Sequence, residues 1–256
     1  MSLPLNQIIL GDAIEQMKAL PDNSIDALIS DPPYAKTNLA WDKAVDWAAF
    51  WLEAKRVLQP KGSVVMTAAQ PFTTDLISSN RKWFKYCLVW DKGCASNFAA
   101  CKHRPLTYHE DIVVFAPGSN LFIPQMKWVG KPSRPTGKAP HRGSHVFPSH
   151  VIRPPDRASC DRYPQSIIRI NSRSAECNNN TKRLHPTQKP IELFKYLILS
   201  YTHPGMTVLD PFSGSGSTAI ACIETGRNFI GIEKDPTYHA LSLQRIARTQ
   251  EVPIAA

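Results

Sequence analysis

The segment Asp31-Pro32-Pro33-Tyr34 places a carboxylate, two prolines and an aromatic ring directly after the apolar residues 24–30. An exocyclic base amine is a poor nucleophile because its lone pair is delocalised into the ring. The Asp31 carboxylate and a backbone carbonyl held in place by the prolines can accept both amine hydrogens, which frees the lone pair. The ring of Tyr34 can stack on a base rotated out of a double helix. The segment therefore predicts group transfer to a base amine, with an ordinary Pro-Pro turn as the alternative.

A second chemical signature lies after another apolar run, at residues 207–209, and contains two glycines. Glycines let the backbone approach a ligand, and the N-terminus of the following helix favours an anionic group such as a carboxylate. Glu233 ends the next apolar run, where its carboxylate can accept hydrogen bonds from both ribose hydroxyls of a nucleoside-bearing cofactor. The residues of this loop that we expect to hold the cofactor are Asp210, Phe212, Ser213, Gly214, Gly216, Ser217 and Thr218.

The glycine loop has a second interpretation. Gly214, Gly216 and Ala219 also fit the dinucleotide pattern G-x-G-x-x-G/A, which is typical of nicotinamide and flavin enzymes. The segment at Asp31 argues against that interpretation, because a hydride-transfer enzyme has no need of paired acceptors for an amine.

The cysteines and histidines leave a metal site as a minor alternative. Cys94, Cys101, His103 and His109 lie close together in the chain, but no C-x2-C pair occurs. We therefore predict no metal ion. The scattered cysteines are expected to be reduced thiols in a cytoplasmic protein, since residues 1–10 show no features of a secretory signal.

The charge of the chain is concentrated in one segment. Residues 118–184 carry twelve basic and three acidic side chains, a net charge of +9 that equals the net charge of all 256 residues. Such asymmetry predicts a polyanionic partner, most commonly nucleic acid, although a solvated loop would show the same composition. The longest apolar runs are too short to span a membrane.

Apolar runs and helical periodicity alternate along most of the chain. Strands are predicted at residues 6–10, 24–30, 63–67, 84–90, 111–115, 207–210 and 228–233, and helices at 13–20, 41–58, 75–80, 190–201, 217–224 and 236–249. This alternation indicates an α/β fold with a mainly parallel sheet and helices on both faces. Both chemical segments then follow strands at the sheet's carboxyl edge, where open α/β sheets bind ligands.

The order of these segments resembles the beta group of DNA amino-methyltransferases, in which the catalytic segment precedes the cofactor loop. Three further stretches are similar to that group: Gly11-Asp12-Ala13, Arg104-Pro105 with His109-Glu110, and residues 185–190 ending in Lys189-Pro190. The resemblance covers residues 5–116 and 185–248. It implies a circularly permuted Rossmann-like fold with a catalytic part at 1–117, a target recognition insertion at 118–184 and a cofactor-binding part at 185–256.

The resemblance also implies a function. A prokaryotic or phage enzyme of this group transfers a methyl group from S-adenosylmethionine to the N6 amine of adenine in double-stranded DNA. By resemblance, Asp12 and Ala13 contact the cofactor adenine, Lys189 lies near its methionine part, and Asp31 also borders the cofactor. Within the insertion we expect Arg134, Lys138 and Arg142 to bind DNA.

Several alternatives stay open at the level of sequence. An acid at the head of the catalytic segment favours adenine in this group, but an N4-cytosine, RNA or protein-glutamine methyltransferase needs the same acceptors. A DNA-binding protein that has lost catalysis is the alternative outside enzymes. A homodimer and a companion restriction endonuclease are both compatible with the sequence.

Overall fold

The computed structural model of the chain describes residues 3–35, 44–129, 161–172 and 188–251. Its strands are β1 (Gln7–Leu10), β2 (Ile25–Ser30), β3 (Leu58–Ala68), β4 (Phe84–Ser96), β5 (Thr107–Phe115), β6 (Lys127–Trp128), β7 (Asp161–Arg162), β8 (Ile167–Arg169), β9 (Thr207–Asp210) and β10 (Asn228–Glu233). Its helices are α1 (Ala13–Lys18), α2 (Trp47–Val57), α3 (Phe72–Ser79), α4 (Ile191–Tyr201), α5 (Ser217–Thr225) and α6 (Pro236–Glu251).

Eight strands form one sheet in the order β1-β10-β9-β2-β3-β5-β4-β8. Strand β5 runs antiparallel to both of its neighbours, and the other neighbouring pairs are parallel. Strands β9 and β10 come last in the sequence but lie between β1 and β2 in the sheet. The first strands of the chain therefore do not start the sheet in sequence order. This topology confirms the predicted α/β class. It also makes β2 and β9 neighbours, which brings the two chemical segments to one edge of the sheet.

Two apolar layers cover the two faces of the sheet. Helices α1, α2 and α3 pack on one face through buried side chains such as Met17, Phe50 and Leu76. Helices α4, α5 and α6 pack on the other face through side chains such as Leu197 and Ile220. Burial of each such side chain stabilises the fold by roughly 1.5–3 kcal/mol. Because strands β2 and β9 are covered on both faces, their sequences are almost continuously apolar.

Aspartate caps place two helices at the edge of the sheet that carries the chemical segments. Asp12 Oδ1 accepts hydrogen bonds from the amides of Ile14 (3.1 Å) and Glu15 (3.5 Å), which starts α1 directly after β1. Asp46 Oδ1 accepts from the Ala49 amide (3.0 Å) and starts α2. The predicted start of α2 at Trp41 lies outside the described residues. An aspartate at this position satisfies amides that have no partner within the helix.

Strands β4 and β5 are longer than the sequence predicts. The predicted strands end at Trp90 and begin at Asp111, whereas the observed pair continues to Ser96 and begins at Thr107. Most of the added residues are polar and either half-buried or exposed, so they lack the apolar alternation that marks a strand. Strand β8 lies within the segment predicted as an insertion, and its Ile168 is buried.

The chain divides into two compact units, Met1–Ile123 with Ser166–Ala256, and Pro124–Gln165. The second unit contains the antiparallel pair β6 and β7. Residues 118–123 and 166–172, which the sequence assigned to the insertion, belong to the unit with the sheet. In the first range, the Ile123 amide donates to the Ser200 carbonyl (2.8 Å). In the second range, β8 pairs with β4. Arg134, Lys138 and Arg142 lie outside the described residues.

None of the helices in the described ranges combines the length and hydropathy needed to cross a bilayer.

Candidate functional site

A cavity of about 690 Å³ opens at the carboxyl edge of the sheet. Its walls come from the turn after β1, the segment after β2, the loop after β9 and the end of β10. This volume lies within the usual range for small-molecule sites. The predicted site residues that line it are Asp12, Ala13, Asp31, Pro32, Pro33, Tyr34, Lys189, Asp210, Phe212, Ser213, Gly214, Ser217, Thr218 and Glu233.

Gly216 is the one predicted cofactor residue that does not line the cavity. It precedes α5 with φ of +80°, and a Cβ added there would lie 3.1 Å from Cβ of Ser242. Gly216 therefore makes the turn into the helix possible and lets α6 pack closely against it. Gly214, with φ of +52°, turns its amide toward the Glu233 carboxylate.

Glu233 is held in place at the end of β10. Its Oε2 accepts from the Gly214 amide (2.7 Å) and its Oε1 accepts from the Asp235 amide (2.7 Å). Burial raises the pKa of Glu233, and these two hydrogen bonds partly oppose the increase. A carboxylate can accept about four hydrogen bonds, so acceptor capacity is left for a ligand. The arrangement fits a ribose with two adjacent hydroxyls.

Asp210 lies in the cavity wall between β9 and β2. Its Oδ1 accepts from the Ser30 hydroxyl (2.5 Å) and the Phe212 amide (3.1 Å), so it connects the two strands and shapes the start of the glycine loop. The side chain is only 5% exposed. Burial raises the pKa of Asp210 to about 6, although the hydrogen bond from Ser30 lowers it. A cationic ligand in the cavity would favour its ionised form.

Asp31 follows β2 and accepts from several side chains. Its Oδ1 accepts from the Tyr34 hydroxyl (3.1 Å) and from the Thr67 hydroxyl on β3. Its Oδ2 accepts from the ammonium of Lys189 (2.9 Å). The resemblance placed Lys189 near the cofactor, and Lys189 does line the cavity, but the structure pairs it with Asp31.

Sequence reasoning missed a second carboxylate at this position. This carboxylate belongs to Glu110 on β5. Its Oε2 lies 3.4 Å from the Lys189 ammonium and 3.4 Å from the Tyr34 hydroxyl. Its Oε1 lies 3.3 Å from the Lys92 ammonium. Burial lowers the pKa of Lys189, but the carboxylates of Asp31 and Glu110 raise it more, so its net pKa is raised. Lys189 therefore stays protonated and cannot act as a base. The resemblance of the segment His109-Glu110 to a family segment was the available signal, but it implied no role for Glu110.

The ring of Tyr34 is stacked on Phe72 of α3, with the ring centroids 4.9 Å apart and the planes at 21°. The Lys189 ammonium lies over the ring, 5.3 Å from its centroid. The ring of Tyr34 is thus in contact with both an aromatic ring and a cation. Burial and the two nearby carboxylates hold the pKa of Tyr34 well above its ordinary value, so its hydroxyl remains a donor.

Two residues outside the predicted motifs, Arg245 and Phe50, contact the glycine loop. Arg245 of α6 donates from Nη1 to the Ser215 carbonyl (2.5 Å) and the Ser215 hydroxyl (2.9 Å). Phe212 stacks on Phe50 of α2, with centroids 6.0 Å apart. These contacts join both helical layers to the loop and hold its shape.

No group of three histidine, cysteine or acidic side chains within the described ranges is arranged to hold a metal ion. Cys94, one of the four residues named above as an alternative metal site, has its sulfur 2.8 Å from the Ser172 hydroxyl.

The sequence matches known proteins along most of its length. The DNA methylase family matches residues 25–244. The chain is 30% identical over 254 residues to the DNA adenine methyltransferase YhdJ of Escherichia coli (strain K12), a match that covers 93% of this chain and 82% of that protein.

Solved structures show the same fold. The chain matches the crystal structure of the M1.HpyAVI–SAM complex with a TM-score of 0.62 and 25% identity, over 94% of this chain and 98% of that one. It matches the cytosine-N4-specific PvuII DNA methyltransferase with a TM-score of 0.63 over 96% of this chain and 94% of that one. The latter pair is 18% identical, so this likeness concerns the fold alone.

Proposed function

The chain belongs to the DNA methylase family, and from that premise we propose that it transfers the methyl group of S-adenosylmethionine to the N6 amine of adenine in double-stranded DNA. The observation that carries the proposal is one cavity that contains both the Asp31 acceptor and the Glu233 carboxylate. The relative that is 30% identical is named an adenine methyltransferase, which supports adenine as the base. The acid at the head of the catalytic segment supports the same choice.

The cofactor fits the chemistry of the cavity. We assign the ribose hydroxyls to Glu233, whose carboxylate is fixed by backbone amides and retains acceptor capacity. The turn at Asp12 and Ala13 would hold the adenine, and the loop from Phe212 to Thr218 would hold the methionine part at the start of α5. When bound, S-adenosylmethionine supplies an electrophilic methyl group.

The role of Asp31 is to accept a hydrogen bond from the target amine. In the structure, the Lys189 ammonium donates to the same carboxylate and lies over the ring of Tyr34. The target amine gains access to Asp31 Oδ2 when Lys189 leaves this oxygen for Glu110, which lies 3.4 Å from the ammonium. With Lys189 on Glu110, Asp31 Oδ2 is exposed to the amine and Tyr34 can stack on the base.

Positioning supplies most of the acceleration in this account. The carboxylate of Asp31 and the carbonyl of Pro32 hold the amine so that its lone pair points to the methyl group. Asp31 does not need to be a strong base, because the nitrogen becomes acidic once it has gained the methyl group. Its proton can then leave to Asp31 or to water. The protonated Lys189 offsets the negative charge of the two carboxylates throughout.

We assign DNA binding in part to the basic segment 118–184, whose net charge equals that of the chain. Combined replacement of Arg134, Lys138 and Arg142 by glutamine should flatten the dependence of DNA affinity on salt, by about 0.9 in log–log slope for each phosphate that is no longer neutralised. Cofactor affinity should be unchanged. An unchanged slope and affinity would remove these three residues from the DNA-binding surface. A homodimer and a companion restriction endonuclease stay predictions.

N4-cytosine methylation is the second candidate, since both amines require the same acceptors and a cytosine-N4-specific enzyme shares the fold. Single-molecule sequencing of DNA from cells that express the chain separates the two. The proposal expects N6-methyladenine at one sequence context, absent from cells that express Asp31→Ala. N4-methylcytosine would support the second candidate, and the absence of any modified base would point to a DNA-binding protein without catalysis.

A further inference from the structure

The β4–β5 hairpin extends beyond the edge of the sheet that bears the cavity. The last residue of β3, Ala68, pairs with Asp111 of β5. Residues 107–110 of β5 and the end of β4 therefore continue past the end of β3. At about 3.3 Å per residue, these four residues carry the turn roughly 13 Å beyond the edge. Since β4 runs parallel to β2, the turn lies at the same edge as Asp31.

The base of this hairpin is part of the catalytic network. Lys92 of β4 and Glu110 of β5 form an ion pair of 3.3 Å across the two strands, and Glu110 also contacts Lys189 and Tyr34 at 3.4 Å. The strands thus have a fixed position relative to Asp31. Anything that binds the end of the hairpin is placed at a defined distance from the cavity.

The end of the hairpin, residues 97–106, is an ordered turn. Asn97 has φ of +59° and its Oδ1 accepts from the Thr107 amide (2.8 Å). A 3-10 turn, Phe98–Ala100, follows. The Ala100 carbonyl accepts from the amides of His103 (2.9 Å) and Arg104 (3.0 Å). These hydrogen bonds fix the backbone of the turn, so its exposed side chains start from defined positions.

The side chains on this turn suit a polyanion with stacked bases. Phe98 is 62% exposed, and Lys102, His103 and Arg104 are also exposed. The sequence from residue 92 to residue 109 contains no acid. Lysine and arginine neutralise phosphates, and exposed apolar side chains enter base steps in proteins that kink DNA.

We propose that the turn at residues 97–106 binds the DNA duplex beside the target base, with Lys102 and Arg104 on phosphates and Phe98 against the base stack. The inference rests on the proposed function, since the duplex must approach this edge for a base to reach Asp31. Flipping leaves a gap in the stack next to the cavity, and an apolar ring on the adjacent hairpin can fill that gap. The residues of this turn lie outside segment 118–184 in the sequence.

Two variants and two matched controls test the inference. The variants are Lys102→Gln with Arg104→Gln, and Phe98→Ala. The control for the charge variant is Lys55→Gln with Lys61→Gln, which removes the same charge near the start of β3, at the opposite edge of the sheet. The control for Phe98→Ala is Leu52→Ala, which removes a side chain on α2 that is 68% exposed. Binding to a fluorescein-labelled mixed-sequence duplex is measured across salt concentrations. Transfer from tritiated S-adenosylmethionine to unmethylated phage DNA is measured in parallel.

The charge variant should bind the duplex at least about tenfold more weakly than its control, with a log–log salt slope flatter by about 1.8. Phe98→Ala should lower kcat/KM for DNA by roughly 5- to 150-fold, the range for the stacking of one base on an aromatic ring, and leave the slope unchanged. Calorimetric affinity for S-adenosylmethionine should be that of the wild type, which shows that each variant is folded.

Variants that match their controls in affinity, slope and rate would overturn the inference. If the wild type transfers no methyl group to the DNA, the proposed function fails instead, and the duplex affinities of the charge variant and its control still decide the role of the hairpin. If Lys102→Gln with Arg104→Gln unfolds the chain, the single variant Arg104→Gln, with about half the change in slope, replaces it.

Discussion

The ammonium of Lys189 lies 2.9 Å from Oδ2 of Asp31, so the carboxylate that we propose as the acceptor for the target amine already holds a cation. The same ammonium lies over the ring of Tyr34 and 3.4 Å from Glu110. Lys189 thus has two carboxylate partners, of which only Asp31 belongs to the catalytic segment. In the proposed mechanism, transfer of the lysine from Asp31 to Glu110 is the step that opens the site to a base.

Glu110→Gln should therefore slow methyl transfer. A neutral amide competes poorly for Lys189, which then stays on Asp31. The expected loss is about 10- to 100-fold in the single-turnover rate, the range for a charge-assisted hydrogen bond of about 1.5–3 kcal/mol. Rapid-quench measurements with saturating cofactor give this rate, and calorimetry should show unchanged affinity for S-adenosylmethionine.

The control for this variant is Glu224→Gln, which removes a carboxylate paired with Lys195 away from the cavity. It should keep the wild-type rate. If Glu110→Gln lowers the melting temperature but not the single-turnover rate, Glu110 has a structural role only.

Asp31→Ala should leave cofactor binding almost unchanged and lower methyl transfer at least about 100-fold, as expected for an interaction made in the transition state. Glu110 still partners Lys189 in this variant, so the buried ammonium is not left alone. Calorimetry and single-turnover rates measure the two effects. Equal losses in affinity and rate would assign Asp31 to the architecture of the cavity.

Glu233→Ala should weaken S-adenosylmethionine binding by about 1–3 kcal/mol, the range for hydrogen bonds to a charged group. The loss has two sources, the ribose contacts and the anchor for the Gly214 amide. Glu233→Gln keeps an acceptor for one backbone amide and should therefore lose less affinity for S-adenosylmethionine than Glu233→Ala. An unchanged dissociation constant in Glu233→Ala would exclude Glu233 from the cofactor site.

Asp210 makes stability depend on pH. An acid whose pKa is raised by folding destabilises the folded state as it ionises, so the penalty grows between the unfolded pKa, about 4, and the folded pKa of about 6. Above pH of about 6 the penalty is complete. Relative to Asp210→Asn, the cofactor-free wild type should lose about 2–3 kcal/mol of unfolding free energy as the pH rises from about 4 to about 7.

Urea unfolding of both proteins at the two pH values measures this difference. Asparagine retains an acceptor for the Phe212 amide, so the loop is expected to keep its shape. A difference between wild type and variant that does not change with pH would mean that Asp210 is not buried as a titrating acid.

The central strands could be predicted from the sequence because they are buried on both faces. Strands β9 and β10 were predicted with their observed bounds and β2 to within one residue. The extensions of β4 and β5 were missed because their residues include the ion pair of Lys92 and Glu110, which only the folded sheet brings together. Polar residues paired across two strands leave no apolar period in either strand.

The site was predictable to the extent that its residues follow parallel strands. Asp31, Asp210 and Glu233 each lie at or just past the end of such a strand, and the carboxyl ends of parallel strands share one edge. Phe72 and Arg245 reach the same place from helices distant in the chain. Their contacts depend on how α3 and α6 pack against the sheet, which no local pattern reveals.

Mass spectrometry of nucleosides tests the central claim most directly. Unmethylated phage DNA is incubated with the purified chain and S-adenosylmethionine that carries a trideuterated methyl group, then digested to nucleosides. The account predicts trideuterated N6-methyldeoxyadenosine with the wild type and its absence with Asp31→Ala. Trideuterated N4-methyldeoxycytidine in its place, or label in adenine that persists in Asp31→Ala, would contradict it.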